Sequence, residues 1–331
     1  MFIKLSWIKP NTGQFLACLL CIHGCSTTYQ GRQTLTDMPG DLPPAVELSQ
    51  TPFFPQTEHQ CGPAALATLL QPHHVDVSPQ TLSSQLYIPA REGSLQVEMA
   101  VTARRYGMLP SPLSPQFTDL LAEIAAGNPV LVLQNLSFDW WPQWHYAVVI
   151  GYDITRNELT LRSGTTKRWQ TSFASFERTW GRADNWALVI VPAGEMPTTA
   201  RISTYLKTAY AFEQTGQALQ ALDAYRAAAN TWPDDTSSWQ ALGNMAYKAG
   251  NYDEAVFALL KASSLGPDDI VAWNNLAYAL HMKGCTEQAL QSLQCAFRLS
   301  ADDENIRHSE QEIHDMAVQP QADNCPEIRC K

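Results

Sequence analysis

Apolar positions change their spacing twice along this chain. Between residues 53 and 127 they recur at helical intervals. CGPAALATLLQ is rich in Ala and Leu, and Pro63 suits a first helical turn, where its missing N–H is harmless. SPQTLSSQLYI supports a second short helix. In GSLQVEMAVTARRYGM, Leu95, Met99 and Ala103 fall on one face and predict a third. FTDLLAEIAAG is a fourth, closed by Gly127. Strand patterns then take over. PVLVLQN (129–135) is almost wholly apolar. In HYAVVIGYD (145–153), Tyr146, Val148 and Ile150 alternate with Ala147, Val149 and Gly151. ELTLRSG (158–164) alternates Leu159 and Leu161 after a turn at Arg156-Asn157, and NWALVIV (185–191) is a fourth strand. Helices first and antiparallel-looking strands afterwards predict an α+β domain over 53–197.

The second change is to a repeat. Tyr205, Trp239 and Trp273 are spaced by 34, as are Gly216, Gly250 and Gly284, and Ala221, Ala255 and Ala289. Ala228, Ala262 and Ala296 keep the same step, and Pro233 and Pro267 close two of the units. This period and pattern resemble tetratricopeptide repeats, which implies three helix hairpins over 202–301 in an all-α solenoid. Small Gly and Ala residues let paired helices approach, and the aromatic fills the gap between units. Residues 303–317 are expected to cap the solenoid, leaving a tail to 331. Stacked hairpins create a concave surface, so a protein partner is expected there.

Residues 1–24 carry Lys4, Lys9 and no acid, followed by the apolar run FLACLLCI, far shorter than the roughly 20 residues of a membrane-spanning helix. Ile22-His23-Gly24-Cys25 resembles the lipobox of bacterial lipoproteins. The resemblance implies acylation of Cys25, and Ser26 after it favours the outer membrane, facing the periplasm. Residues 25–52 are polar and Pro/Gly-containing, which predicts a tether. The formal net charge is −10, and no Lys/Arg cluster stands out, so no nucleic-acid partner is expected. Cys285, Cys295, Cys325 and Cys330 lie near the C-terminus, where an exported chain can form disulfides. Cys285 and Cys295 are about 15 Å apart along one helix, so pairing with the tail is favoured over pairing with each other, and spacing alone leaves the pairs open. No cofactor and no metal site are expected.

Cys61 stands alone before a predicted helix start, where unpaired N–H groups lower a thiol pKa. Gln56 lies five residues upstream; in papain-type cysteine hydrolases a glutamine so placed points into the site where negative charge develops, which would leave the Cys61 N–H as second donor. His145 opens a strand that is otherwise core and is the candidate base. His59 could flank the site, whereas His73 and His74 fall in a turn. Trp140, Trp141 and Trp144 crowd the loop before His145, as a substrate cleft or as a plug at the base of the domain; Trp169, Trp180 and Trp186 are assigned to the core.

Taken in order, Gln56, Cys61-Gly62-Pro63-Ala64-Ala65-Leu66 and His145-Tyr146-Ala147-Val148-Val149-Ile150-Gly151-Tyr152 resemble the peptidase C39-like group of papain-like cysteine peptidases. Gly93-Ser94-Leu95 and Tyr106-Gly107-Met108 also fit, and the resemblance spans about 50–195. It implies acyl transfer to Cys61, with His145 as base and Gln56 at the oxyanion. The group carries an aspartate on the strand after the histidine strand; here Ser163 stands in its place, a hydrogen-bond partner without charge. Asp139, Asp184 and Asn185 are alternatives, while Asp153 lies roughly 26 Å along the strand from His145. Two functions follow: a thiol-dependent peptidase in the bacterial cell envelope, or a catalytically silent peptide-binding module whose repeats recruit a partner.

Overall fold

The computed structural model describes residues 42–56, 60–88, 93–316 and 319–330. The leader, Cys25, most of the expected tether and His59 lie outside them. Among the described residues no helix is long and apolar enough to cross a membrane.

The N-terminal domain begins with strand β1 (Ala45–Glu47), followed by helices α1 (Cys61–Leu70), α2 (Pro79–Leu86) and α3 (Gln96–Arg105). Strand β2 (Met108–Pro112), α4 (Phe117–Ala125), β3 (Val130–Asn135), β4 (Trp144–Asp153), β5 (Glu158–Ser163) and β6 (Thr166–Ser172) come next. Helix α5 (Phe173–Gly181) and β7 (Ala187–Pro192) complete the domain. The strands form an antiparallel sheet ordered β2-β7-β3-β4-β5-β6, with β1 added to the far half of β4. The expected tether is therefore corrected at its end. Ala45–Glu47 pairs with Gly151–Asp153, because the last residues of β4 have run past the end of β3 and need another partner.

Period-two alternation sorts β4 between two cores. Tyr146, Val148 and Ile150 join Leu66, Leu69, Leu82 and Met99 from α1, α2 and α3. Ala147 and Val149 face Leu120, Ile124, Phe173 and Trp180 from α4 and α5. Three strands escape the sequence pattern for one reason. β2 and β6 are sheet edges and β1 is three residues long. Edges carry Pro or polar residues instead of apolar alternation, as in MLPSP and TKRWQTS.

Six helices follow as three hairpins: α6 (Ile202–Gln214) with α7 (Ala218–Thr231), α8 (Thr236–Lys248) with α9 (Tyr252–Leu265), and α10 (Ile270–Lys283) with α11 (Thr286–Leu299). Helix α12 (Glu304–Asp315) covers the end. Gly216, Gly250 and Gly284 turn each hairpin with φ of 75°, 76° and 95°, a left-handed backbone that glycine adopts without a Cβ clash. At Gly243 an added Cβ would fall 2.5 Å from Leu259 Cγ, so the α8–α9 approach needs a bare backbone there. The indole N–H of Trp239 donates to the Pro233 carbonyl at 2.8 Å, and that of Trp273 to Pro267 at 2.8 Å, one bond repeated a unit later.

The repeats are joined to the first domain by a shared core that includes Val191, Tyr205 and Phe212. Tyr205 donates to the Ala193 and Glu195 carbonyls, and Gln217 Nε2 donates to the Arg104 carbonyl at 2.7 Å. Glu123 is fully buried, and its carboxylate accepts from Asn128 Nδ2 and from the Thr198 and Thr199 N–H groups, tying the linker down.

Disulfides Cys285–Cys325 and Cys295–Cys330 fold the tail back onto the last hairpin. They span 40 and 35 residues. Cross-links of this size contribute roughly 2–4 kcal/mol each by restricting the unfolded chain. Replacing Cys285 and Cys295 together by Ser should lower the calorimetric unfolding midpoint, and reductant should reproduce the loss in the unaltered chain. Equal midpoints in all three would contradict this assignment.

Candidate functional site

Helix α1 starts at Cys61, directly against β4. The backbone N–H groups of Tyr146, Gly62 and Cys61 itself favour the thiolate, as a helix start should. Burial nevertheless dominates and pushes the Cys61 thiol above its ordinary value. This corrects the expectation of a lowered pKa: α1 packs closely enough onto the sheet that desolvation exceeds the helix-end effect. Gly62 is required there, since an added Cβ would lie 2.7 Å from Ser94 Oγ. The Tyr146 phenol donates to the Ser94 carbonyl at 3.2 Å and is pushed up by burial and by the neighbouring Cys61 thiol.

Gln56 is fixed through the main chain. Its N–H donates to the Gly164 carbonyl at 3.0 Å, and its Oε1 accepts from the Gly164 N–H at 3.2 Å. Its Nε2 points to the Tyr146 carbonyl at 3.5 Å, so the amide reaches the strand beside Cys61. Arg162 holds the approach to Gln56 in place. Its buried guanidinium donates to the carbonyls of Ser49, Thr51 and Lys167. Arg162 and Gly164 were not identified from sequence. Gly164, with φ of 56°, had a signal in Ser163-Gly164 at a strand end; a charged residue in a strand reads as surface, so Arg162 had none.

His145 follows the β3–β4 loop. Its Nε2 lies 2.9 Å from Ser163 Oγ, and Ser163 is buried at the end of β5. The residue standing where a carboxylate was expected is therefore the ring's partner. No hydrogen bond joins His145 to Cys61, Asp139, Asp184 or Asn185. Asp184 and Asn185 instead form a left-handed turn from α5 into β7, and their N–H groups donate to the Gly181 and Trp180 carbonyls. Asp153 sits at the opposite end of β4. Burial pushes the His145 imidazole below its ordinary value. Burial thus disfavours the charged form of both side chains, and among the described residues no anionic side chain is hydrogen-bonded to either. Among the described residues no cluster of three or more His, Cys, Asp or Glu could hold a metal ion.

Trp140, Trp141 and Trp144 are exposed and plug nothing. Of the tryptophans assigned to the core, Trp180 is fully buried, while Trp169 and Trp186 are partly buried against it. Away from this site, the concave face of the repeats forms a groove of about 580 Å³ lined by Tyr210, Glu213, Asn244, Tyr247, Asn275 and Tyr278.

Residues 48–188 match the Peptidase_C39 like family, and residues 243–284 match a TPR repeat family. No curated protein matches. Among solved structures, a protein described as a C39-like peptidase from Bacillus anthracis is 18% identical, with 44% of this chain and 97% of that one covered and a TM-score of 0.38. MamA of MSR-1 is 19% identical over 37% of this chain and 70% of its own, with a TM-score of 0.33. The type III secretion translocator chaperone SycD of Yersinia enterocolitica is 18% identical over 34% and 86%, with a TM-score of 0.31. The chain thus carries a mixed α/β domain resembling the C39-like peptidase fold, followed by an all-α tetratricopeptide region.

Ser163→Asp would place a carboxylate beside His145 Nε2. An adjacent anion favours the imidazolium, so the His145 pKa should rise by about one unit or more, read by NMR titration of the ring. Ser163→Asn, which adds no charge, should leave it low. Equal values in the two variants would remove Ser163 as the ring's partner.

Proposed function

We propose that the C39-like domain is a peptide-recognition module, its thiol site buried where charge is disfavoured, and that the repeats recruit a protein partner. One observation carries this reading: His145 Nε2 lies 2.9 Å from a serine hydroxyl, where a carboxylate was expected. Acyl transfer needs thiolate, and an ordinary thiol supplies only a few per cent of it at pH 7. Raising the Cys61 pKa lowers that share. A serine orients the ring but does not stabilise the charged imidazolium that transfer would create. In this reading a peptide lies across the Cys61 end of α1, with Trp144 beside its path.

A second reading, thiol-dependent hydrolysis, is favoured by the N–H groups of Tyr146, Gly62 and Cys61 around the sulfur and by Gln56 beside them. In that reading Cys61 attacks a peptide carbonyl and its proton passes to His145. The leaving amine takes that proton, and water releases the acyl group.

For location, we propose export to the bacterial cell envelope with a lipid anchor at Cys25, facing the periplasm. The two disulfides support an oxidising compartment.

The pH dependence of Cys61 alkylation separates the two functions. An unactivated thiol should react faster with iodoacetamide as pH rises through and beyond the ordinary thiol range near about 8.5, and His145→Ala should change the rate by less than about twofold. A rate already level at neutral pH, and abolished in His145→Ala, would establish the hydrolase pair and overturn the recognition reading.

A further inference from the structure

We infer that the tip of the β3–β4 hairpin is a membrane-contacting element that seats the C39-like domain on the lipid headgroup layer. Phe138, Trp140 and Trp141 are 65%, 78% and 71% exposed, and Leu136 and Trp144 continue the apolar surface towards the sheet. Phe138 stacks on Trp140 with centroids 5.7 Å apart, and Trp141 meets Trp140 edge-on at 6.4 Å.

The fold holds these rings out in water. Asn135 Oδ1 accepts from the N–H groups of Ser137 and Gln143, both at 3.0 Å. The Leu136 N–H donates to the Gln143 carbonyl, and the Trp141 N–H to the Phe138 carbonyl. Arg182 grips the Asn135 carbonyl from α5's C-terminus with two N–H groups. These bonds brace the loop backbone from which the aromatics project, so their exposure is a built feature.

Chemistry selects the occupant. The segment LSFDWWPQW has one charge, Asp139, and no cation, so attraction to anionic lipid or to an acidic partner is not its basis. Indole rings, with an apolar body and one N–H, favour the headgroup level of a bilayer. The tip also presents its rings exposed. A protein partner would have to bring a pocket for it, whereas a headgroup layer accommodates a wedge directly.

Chain length permits the contact, and here the inference rests on the proposed anchor at Cys25. β1 enters beside Asp153, at the end of β4 opposite Trp144. Ten strand residues cover about 33 Å. The chain between Cys25 and Leu42 can extend to about 55 Å. An acylated Cys25 and the hairpin tip can therefore reach one membrane surface together. His145 directly follows the hairpin's last tryptophan, so the candidate site would work against ligands presented at that surface.

The test uses the full chain in phosphatidylcholine vesicles whose acyl chains carry bromine, a short-range quencher of tryptophan emission. Quenching with a blue shift is expected, and should persist at about 1 M salt, where charge attraction is screened. The Trp140→Ser/Trp141→Ser variant should stay vesicle-bound and folded by circular dichroism, yet lose most of the quenching. Mass analysis reports acylation of Cys25 separately. If Cys25 is unmodified, the anchor fails by itself, and a blue shift on mixing the full chain with vesicles is still expected from the hairpin. Equal quenching in the unaltered chain and the double variant overturns the inference. So does an unquenched hairpin whose double variant loses a peptide or protein ligand, since that would make the tip a protein-binding surface.

Discussion

Ten residues from Trp144 to Asp153 touch every layer of the N-terminal domain. One face of β4 meets the helix that begins at Cys61, and the other meets the helices that carry the core on into the repeats. Its backbone at Tyr146 supports the thiol and receives Gln56, its first residues present the aromatic hairpin and His145, and its last residues capture β1. Burial of this strand on both sides is the constraint from which the site follows. It brings together groups that lie ninety residues apart in the chain, and it excludes the water that would otherwise solvate their charged forms.

That exclusion explains the electrostatic character of the site. Low-dielectric surroundings strengthen any charge pair, but they also raise the cost of creating one. A carboxylate beside the imidazole would change that balance. Ser163 keeps the geometry of such a partner and omits its charge, so desolvation prevails at both Cys61 and His145. The N–H groups around the sulfur push the other way and are outweighed. A scaffold that orients a peptide carbonyl for attack also serves to hold a peptide without cleaving it, because the donors that would stabilise an oxyanion bind a neutral carbonyl as well.

The two regions are packed against each other. The first hairpin of the solenoid shares its core with the sheet, and the buried Glu123 fastens the connection through main-chain N–H groups. At the other end of the solenoid, α12 and the disulfide-held tail cover the last hairpin, which would otherwise present an unpaired apolar side. The groove along the repeats displays tyrosine and asparagine side chains where a partner would lie.

Much of this was legible from sequence. The 34-residue period placed the hairpins, because each unit repeats the same local packing problem. Apolar spacing located α1 to α4 and the central strands, and the order Gln56, Cys61, His145 and Ser163 marked the positions that β4 gathers. These features depend on neighbours a few residues away or on residue identity alone. What only the tertiary structure decided depends on distant chain segments meeting. Edge strands carry little apolar pattern, so β1, β2 and β6 appeared only with their partners. The pairing of four cysteines depended on the path of the tail. The electrostatics of the site depended on how deeply α1 and β4 bury each other: a helix start favours thiolate by local geometry, and burial opposes it by removing water.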